Sequence, residues 1–495
     1  MDNTPAQAVS ALQKQIEAAT PVADVAHRLM AYGFADDLIG PLAEAHRTGP
    51  RPRSISAADF HDWILTALTE AQGSGRQVFN DDRALERSRT GSLSAYYRRL
   101  AGQPPALSRA LLRDVTARLR ELWPDDAPPM NPAPACFDAF RLVVLDGKKV
   151  KRAGKRAKPL RGFAGSLLAA KALVATEVET GLAIAMSTAL DGETNDVPLT
   201  ADLMPQLHAL IGDAVLYLAD RQFGNKTVFD QLAEREGDAY VVRVGKVFTF
   251  TPDADHPHNQ GDSVEGRCPE DRPYRDEIGT LGQGKSAIRV RRIFLDRGGK
   301  DDVVLVTNLT DAGAYPAAAL LELYRCRWGI ENVFQDVTET FGLEKLIGST
   351  PEAALFQLSL CLSIYNMHQV MRAHVAVAGA AADGLGSIRD VSGPGLHLRL
   401  VRELHTWLVM LGGLPVPESP EAGLGDRLAA MGRGVWGPHL RAKRDRKGYV
   451  RPAKREFKVH GGHTSAERLR RLPEAELEKA RRTGRLRAAV LKKER

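Results

Sequence analysis

Four short apolar runs in the middle of the chain, two of them closed by an aspartate, restrict its fold more than any other feature. "FRLVVLDG" runs into Asp146 and Gly147, "SLLAAKALVATEV" and "GLAIAMSTAL" follow as a pair, and "AVLYLADRQFG" is closed by Asp220. Runs of this length bounded by turn residues read as buried strands. Before the last of them, "DVPLTADLMPQLHALI" carries the spacing of a helix, and strands alternating with helices predict an α/β core.

The sequence on either side has a different character. Over roughly residues 1–130, "FHDWILTALTEA" and "SRALLRDVTARLRELW" place apolar residues at helical intervals, and "WPDDAPPMNPAPA", ending at Ala135, reads as a linker. A chain of 495 residues also exceeds the size at which one core stops growing, about 250 to 300 residues, so several domains are expected. From "YVVRVGKVFTF" to "DVVLVTNLT" the chain becomes strand-rich around a Gly-, Pro- and Asp-heavy middle, which predicts a β-rich insertion at about 238–312. A helix is expected from Pro316, where proline suits a first helical position. Further helices are expected through "FQLSLCLSIYNMHQVMRAHVAVAG" and "LHLRLVRELHTWLVMLGGL", with a Gly-rich break between them.

Charge is concentrated at one end. Between Arg441 and Arg495 stand 20 Lys plus Arg against 7 Asp plus Glu, although the whole chain carries only +7. A tail of this kind suits a polyanion such as nucleic acid, and equally a solvated segment with no partner. Cys136, Cys268, Cys326 and Cys361 are scattered without a CxxC pair, which argues against a disulfide framework or a zinc site. The first residues lack the basic start and apolar run of a signal peptide, and no window approaches about 18 uncharged apolar residues, so a cytoplasmic protein without a membrane span is expected.

The stretch "YRCRWGIENVFQD", Tyr324 to Asp336, holds the most specific pattern. At about 100° per residue, Leu323, Cys326, Ile330, Phe334 and Val337 form an apolar stripe. Tyr324, Arg327, Trp328, Glu331 and Gln335 form a second stripe, polar and aromatic, that flanks the first. Taken alone, the second stripe also fits a surface ion pair between Arg327 and Glu331. Asp146 and Asp220 bear on the choice, because catalytic groups in open α/β sheets gather at the carboxyl ends of strands, although an aspartate after a strand is also a common turn. Three carboxylates without His or Cys companions suit magnesium, a hard ion that prefers oxygen.

In this order, strand-"LDG", strand-"LADRQFG" and "TNL…YRCRWGIENVF", the sequence resembles the DDE transposases of bacterial insertion sequences, in the group usually numbered four. Tyr324, Arg327 and Glu331 match the type and spacing of its signature, and the likeness spans roughly residues 136–375. The resemblance implies a ribonuclease-H-like catalytic domain with its β-rich insertion, between an N-terminal helical DNA-binding region (1–130) and a C-terminal helical region with a basic tail (376–495). It implies cleavage at inverted-repeat ends and strand transfer by phosphoryl transfer with two Mg2+ or Mn2+ ions held by Asp146, Asp220 and Glu331. It also implies contact of Tyr324 and Arg327 with DNA phosphates and stacking of Trp328 on a displaced base. Double-stranded DNA and a second copy in a synaptic dimer are the implied partners. A ribonuclease-H-like nuclease without strand transfer and a decayed DNA-binding protein are the alternatives. At the seventh residue after Glu331 the group has lysine where this chain has Thr338, and Lys345 is the nearest replacement along the sequence.

The basic run "KKVKRAGKRAKPLRG" leaves the strand that carries Asp146, so Lys148 and Lys149 are candidate DNA-backbone contacts, as is Arg221 directly after Asp220. "GSLSAYYRRLAGQP", with Tyr96, Tyr97, Arg98 and Arg99, is the N-terminal piece best suited to DNA. "GTLGQGKS" matches a phosphate-binding loop in letters, but the strand-like "AIRVRRIFL" follows where a helix is required.

Overall fold

The computed structural model describes residues 14–48, 55–69, 73–84, 89–151, 166–245, 249–261, 264–268, 270–284, 287–297, 302–340, 343, 347–411, 420–442 and 463–483. Within them, an eleven-stranded mixed sheet forms the centre. Strands β1 (Arg141–Lys151), β2 (Ser166–Glu177) and β3 (Ala183–Ala189) are the expected runs joined by antiparallel pairing. The expected helix follows as Asp196–Leu210, and it leads into β4 (Val215–Ala219), which lies parallel to β1. Strand β5 (Ala239–Val244) extends this parallel set beside β4.

The β-rich segment does not form a separate sheet. Its strands β6 (Phe250–Pro252), β7 (Glu265–Arg267), β8 (Pro273–Leu281), β9 (Ile288–Leu295) and β10 (Val303–Thr307) join the central sheet through antiparallel pairing of β10 with β5. The short β11 (His463–Ser465) closes the far edge on β2. β8 and β9 pair directly with each other, so "GTLGQGKS" connects a strand to a strand and cannot present the helix N-terminus that a phosphate-binding loop needs.

Both faces of the parallel strands are covered, which is what their nearly continuous apolar sequence requires. On one face Val143, Leu145, Tyr217 and Ala219 pack with Leu199, Leu203 and Leu207 of helix Asp196–Leu210. On the other, Val144, Val150, Leu216 and Leu218 pack with Leu320, Leu323, Ile330 and Phe334. Alternation along β1 therefore sends Asp146 and Lys148 to the second face and Gly147 and Lys149 to the first.

The N-terminal helices α1 (Pro21–Gly33), α2 (Asp36–Ala45), α3 (Ala57–Thr69), α4 (Gly75–Ala84), α5 (Leu93–Ala101) and α6 (Pro105–Arg120) build a second core. Residues from beyond 350 complete it, including Phe356, Leu360 and Met367 of a 33-residue helix, Pro351–Asp383, and Leu428 and Met431 of helix Leu424–Val435. The boundary expected at 375 falls inside that long helix. In α5, Tyr96 is fully buried against Trp63 and Phe79, Tyr97 packs edge-on to Trp63, and Arg99 donates to the carbonyls of Ile55 and Ser56, so three of the four residues singled out there serve the helical core. No helix of the described residues is long and apolar enough to cross a membrane.

Candidate active site

The last parallel partners of β1 and β4 are Leu145 and Ala219, so Asp146 and Asp220 are the next residue on each of two adjacent strands. Asp220 sits where β4 ends, its Oδ1 accepting from the Gln222 amide at 2.8 Å to cap a short 3-10 turn. Asp146 does not end its strand. β1 continues to Lys151 because β2 keeps pairing with it, with Asp146 opposite Val174. The parallel ladder, and not the strand, stops at this acid.

Gly147 is required at the next position. A side chain there would place its Cβ 2.7 Å from Asp196 Oδ1 and 3.1 Å from Lys171 Cε. Those two groups form a buried ion pair at 2.7 Å behind β1, and Lys171 Nζ also donates to the Thr194 carbonyl at 2.9 Å. The Gly147 amide in turn donates to Asp146 Oδ1 at 2.8 Å.

The signature stretch packs against this point as near-helical backbone of three kinds. Helix Ala317–Arg325 passes through a 3-10 turn at Cys326–Trp328 into helix Gly329–Gln335, and a π-helical turn follows at Asp336–Thr340. All five residues of the expected apolar stripe are buried, which identifies the core face. The second stripe is divided. Tyr324 and Arg327 are also buried, whereas Glu331 and Gln335 are exposed and Trp328 is 52% exposed. Tyr324 and Arg327 lie within the field of Asp220 and Asp146, respectively, at the ends of the β1–β4 ladder, while the rest of the stripe meets solvent.

Electrostatics tie these groups together. Burial pushes the Asp146 carboxyl up to about 7, the negative charges of Asp220 and Glu331 push the same way, and the Arg327 charge and Gly147 amide oppose them. All four charged side chains therefore share one field. Arg327 Nη2 donates to Glu331 Oε1 at 2.8 Å, and the guanidinium carbon lies 5.9 Å from the centre of the Tyr324 ring. Burial disfavours the Arg327 cation, but the surrounding negative groups outweigh it, so its pKa is raised. Its Nε is buried with no hydrogen-bond partner. The Tyr324 hydroxyl is pushed to about 12, first by burial and then by the charge of Asp220, against the pull of Arg327 and Arg243.

The three acids are thus neighbours in field but not a closed cluster. Among the described residues no group of three or more His, Cys, Asp and Glu side chains is assembled tightly enough to hold a metal ion. Like charges repel, and Glu331 is taken by Arg327 instead of turning to the two aspartates.

The candidate basic residues separate. Lys148 shares the face of Asp146, and its Nζ donates to Thr338 Oγ1 at 2.6 Å and to the Phe334 carbonyl at 3.1 Å. Lys149 is exposed and points to the opposite face of β1. Arg221 is exposed in the turn after Asp220. Arg152, Lys155, Arg156, Lys158, Arg161 and Lys345 lie outside the described residues, as does most of the basic tail. Sequence reasoning passed over Arg243 on β5, whose charge acts on Tyr324 and whose Nη2 donates to the Asp302 carbonyl at 3.2 Å. The available signal was one arginine inside the apolar run "YVVRVG". Lys171, alone within "LAAKALV", gave the same kind of signal for the pair behind Gly147.

No curated protein matches this chain significantly. Residues 139–367, from just before β1 into helix Pro351–Asp383, match the family model described as the transposase DDE domain, and this segment is therefore similar to a DDE transposase.

Proposed function

We propose that this chain is a transposase that cuts DNA at the ends of its own element and joins them to a target, using Asp146, Asp220 and Glu331 as its acids. The observation that carries this reading is the register of β1 and β4, which sets Asp146 beside Asp220 with the Arg327–Glu331 pair inside their field. The strand order β3-β2-β1-β4-β5, with the first three antiparallel and the rest parallel to β1, supports a ribonuclease-H-like core.

The donor set fits divalent magnesium or manganese, since all three groups are carboxylates, the oxygen ligands these hard ions prefer. Two such ions, when bound, would polarise a phosphoryl oxygen and lower the pKa of an attacking water or 3′-hydroxyl. This chain's own residues do the rest. Arg327, held by Glu331 and lying close to Tyr324, orients that carboxylate and offers its unpartnered Nε. Tyr324, a protonated phenol at neutral pH, is a hydrogen-bond donor to a phosphate oxygen, while the exposed Trp328 ring offers a stacking surface to an unpaired base.

The test is incubation of purified protein with duplex carrying the DNA that flanks the coding segment, plus a target plasmid and Mg2+ or Mn2+. Cleavage and joined products, both lost in Asp146→Ala, are the expected result. Cleavage without joining would leave a nuclease, and specific binding without nicking a DNA-binding protein.

A further inference from the structure

We propose that Lys148 is the phosphate-facing cation of this site, a positioning residue that Thr338 holds in place, so that strand β1 supplies both an acid and the positive charge beside it. The proposal rests on the DNA-cleaving reading above.

Residues two apart on a strand share a face and lie about 6 to 7 Å from each other, so Lys148 leaves β1 directly beside Asp146. Its ammonium then crosses to the helical segment that carries Glu331. Nζ donates to the Phe334 carbonyl and the Thr338 hydroxyl, the Thr338 hydroxyl donates in turn to the same carbonyl at 2.6 Å, and Nζ stands 5.1 Å from the centre of the Phe334 ring. One side chain is therefore fixed by a hydroxyl, a carbonyl and an aromatic face, all belonging to a single turn. That turn is where the backbone changes from α to π geometry, a change that often marks functional positions.

Position 338 is also where the resemblance led us to expect a lysine, and the ammonium found there comes from residue 148, 190 positions earlier. A lysine at 338 would compete with Lys148 for the same space. The threonine instead receives it. On that reading a phosphodiester lies close to three acids, and a cation fixed between β1 and the helical segment, two of the three elements that carry them, lowers the repulsion that the DNA backbone meets.

The experiment moves the charge and leaves its location unchanged. Lys148→Ala, Lys148→Met, Thr338→Lys and the double variants Lys148→Ala/Thr338→Lys and Lys148→Ala/Thr338→Ala are compared with wild type. Affinity for end DNA is measured by fluorescence anisotropy across a salt series in Ca2+, and cleavage in Mg2+. We expect either Lys148 substitution to lower the slope of log affinity against log salt by about one and to reduce cleavage about 10- to 100-fold. The Lys148→Ala/Thr338→Lys pair should regain the slope and at least about tenfold of the cleavage, and the Thr338→Ala pair neither. Lys148→Met retains the aliphatic stem over Phe334, so a folded variant is at hand if Lys148→Ala does not fold. An unchanged slope in Lys148→Met, or no recovery in a folded Thr338→Lys pair, overturns the proposal. A wild-type protein that cuts no DNA would overturn the cleavage reading alone, because the salt slope is read on binding.

Discussion

Asp146 and Asp220 stand one residue beyond Leu145 and Ala219, the last pair matched across β1 and β4, so two acids from distant sequence sit side by side through register alone. Lys148, on the same face of β1 as Asp146, turns its ammonium to Thr338 and to the Phe334 carbonyl. Burial first, and then the charges of Asp220 and Glu331, raise the Asp146 pKa, and Arg327, reaching in from the helical segment, offsets only part of that rise.

Burying Asp146 makes stability depend on pH. With a pKa of about 7 against an ordinary 3.8, folded Asp146 keeps its proton over a range where the unfolded chain has released it. The folded state binds more protons between about pH 4 and 7, so this group's contribution to stability falls as pH rises through that window and its cost is complete above it. Asp146→Asn removes the cost. In thermal melts with chelator, the variant should exceed wild type by about 1 to 3 kcal/mol at pH 8 and match it at pH 4, while its cleavage activity is absent at both. Equal shifts at both pH values would assign the change to packing and not to charge.

Divalent ions should act on the same group. Mn2+ or Mg2+ should raise the melting temperature of wild type progressively with concentration, because an ion that binds only the folded state stabilises it by mass action. At pH 6.5, where part of the Asp146 population is protonated, binding should release protons detectable by calorimetry in buffers of different ionisation enthalpy. Asp220→Ala should remove both effects. An unaltered metal response in that variant would place the ion elsewhere.

Gly147 offers a purely steric test. Alanine there drives a methyl group toward Asp196 Oδ1 and Lys171 Cε, two atoms of a buried ion pair. Gly147→Ala should cost about 1 to 3 kcal/mol in urea melts, and cleavage should fall further than stability because Asp146 is the adjacent residue. A variant with wild-type stability would show that the Lys171–Asp196 pair yields easily.

Trp328 separates binding from folding. With half of its surface in solvent, Trp328→Ala should change stability by less than about 0.5 kcal/mol. Its affinity for DNA with unpaired bases near the cut should weaken by about 1 to 3 kcal/mol, with little change for fully paired duplex. Loss of stability instead of affinity would return the ring to a packing role.

Much of the site was legible because the elements that build it are local. An apolar run stopped by an aspartate is visible in sequence, and the helical spacing of Leu323, Cys326, Ile330, Phe334 and Val337 correctly named the buried face. The continuation of β1 past Asp146 was not legible, since "GKKVK" is polar and only the partner strand β2 makes it extended. The passage from α to 3-10 to π geometry was equally hidden. It depends on which carbonyl each amide selects, and the same side-chain pattern serves all three. Lys345 was the nearest lysine along the chain to Thr338, but sequence distance says nothing about β1, from which the ammonium comes.

Helix Pro351–Asp383 gives this molecule its mechanical character. Ala354, Leu355, Leu358, Cys361 and Leu362 belong to the core under the sheet, while Phe356, Leu360, Met367 and Val370 belong to the core of the N-terminal helices. One rod is thus an axle for two hubs. The two cores therefore cannot be repacked independently, because each lines its own side of the same 33 continuous helical residues.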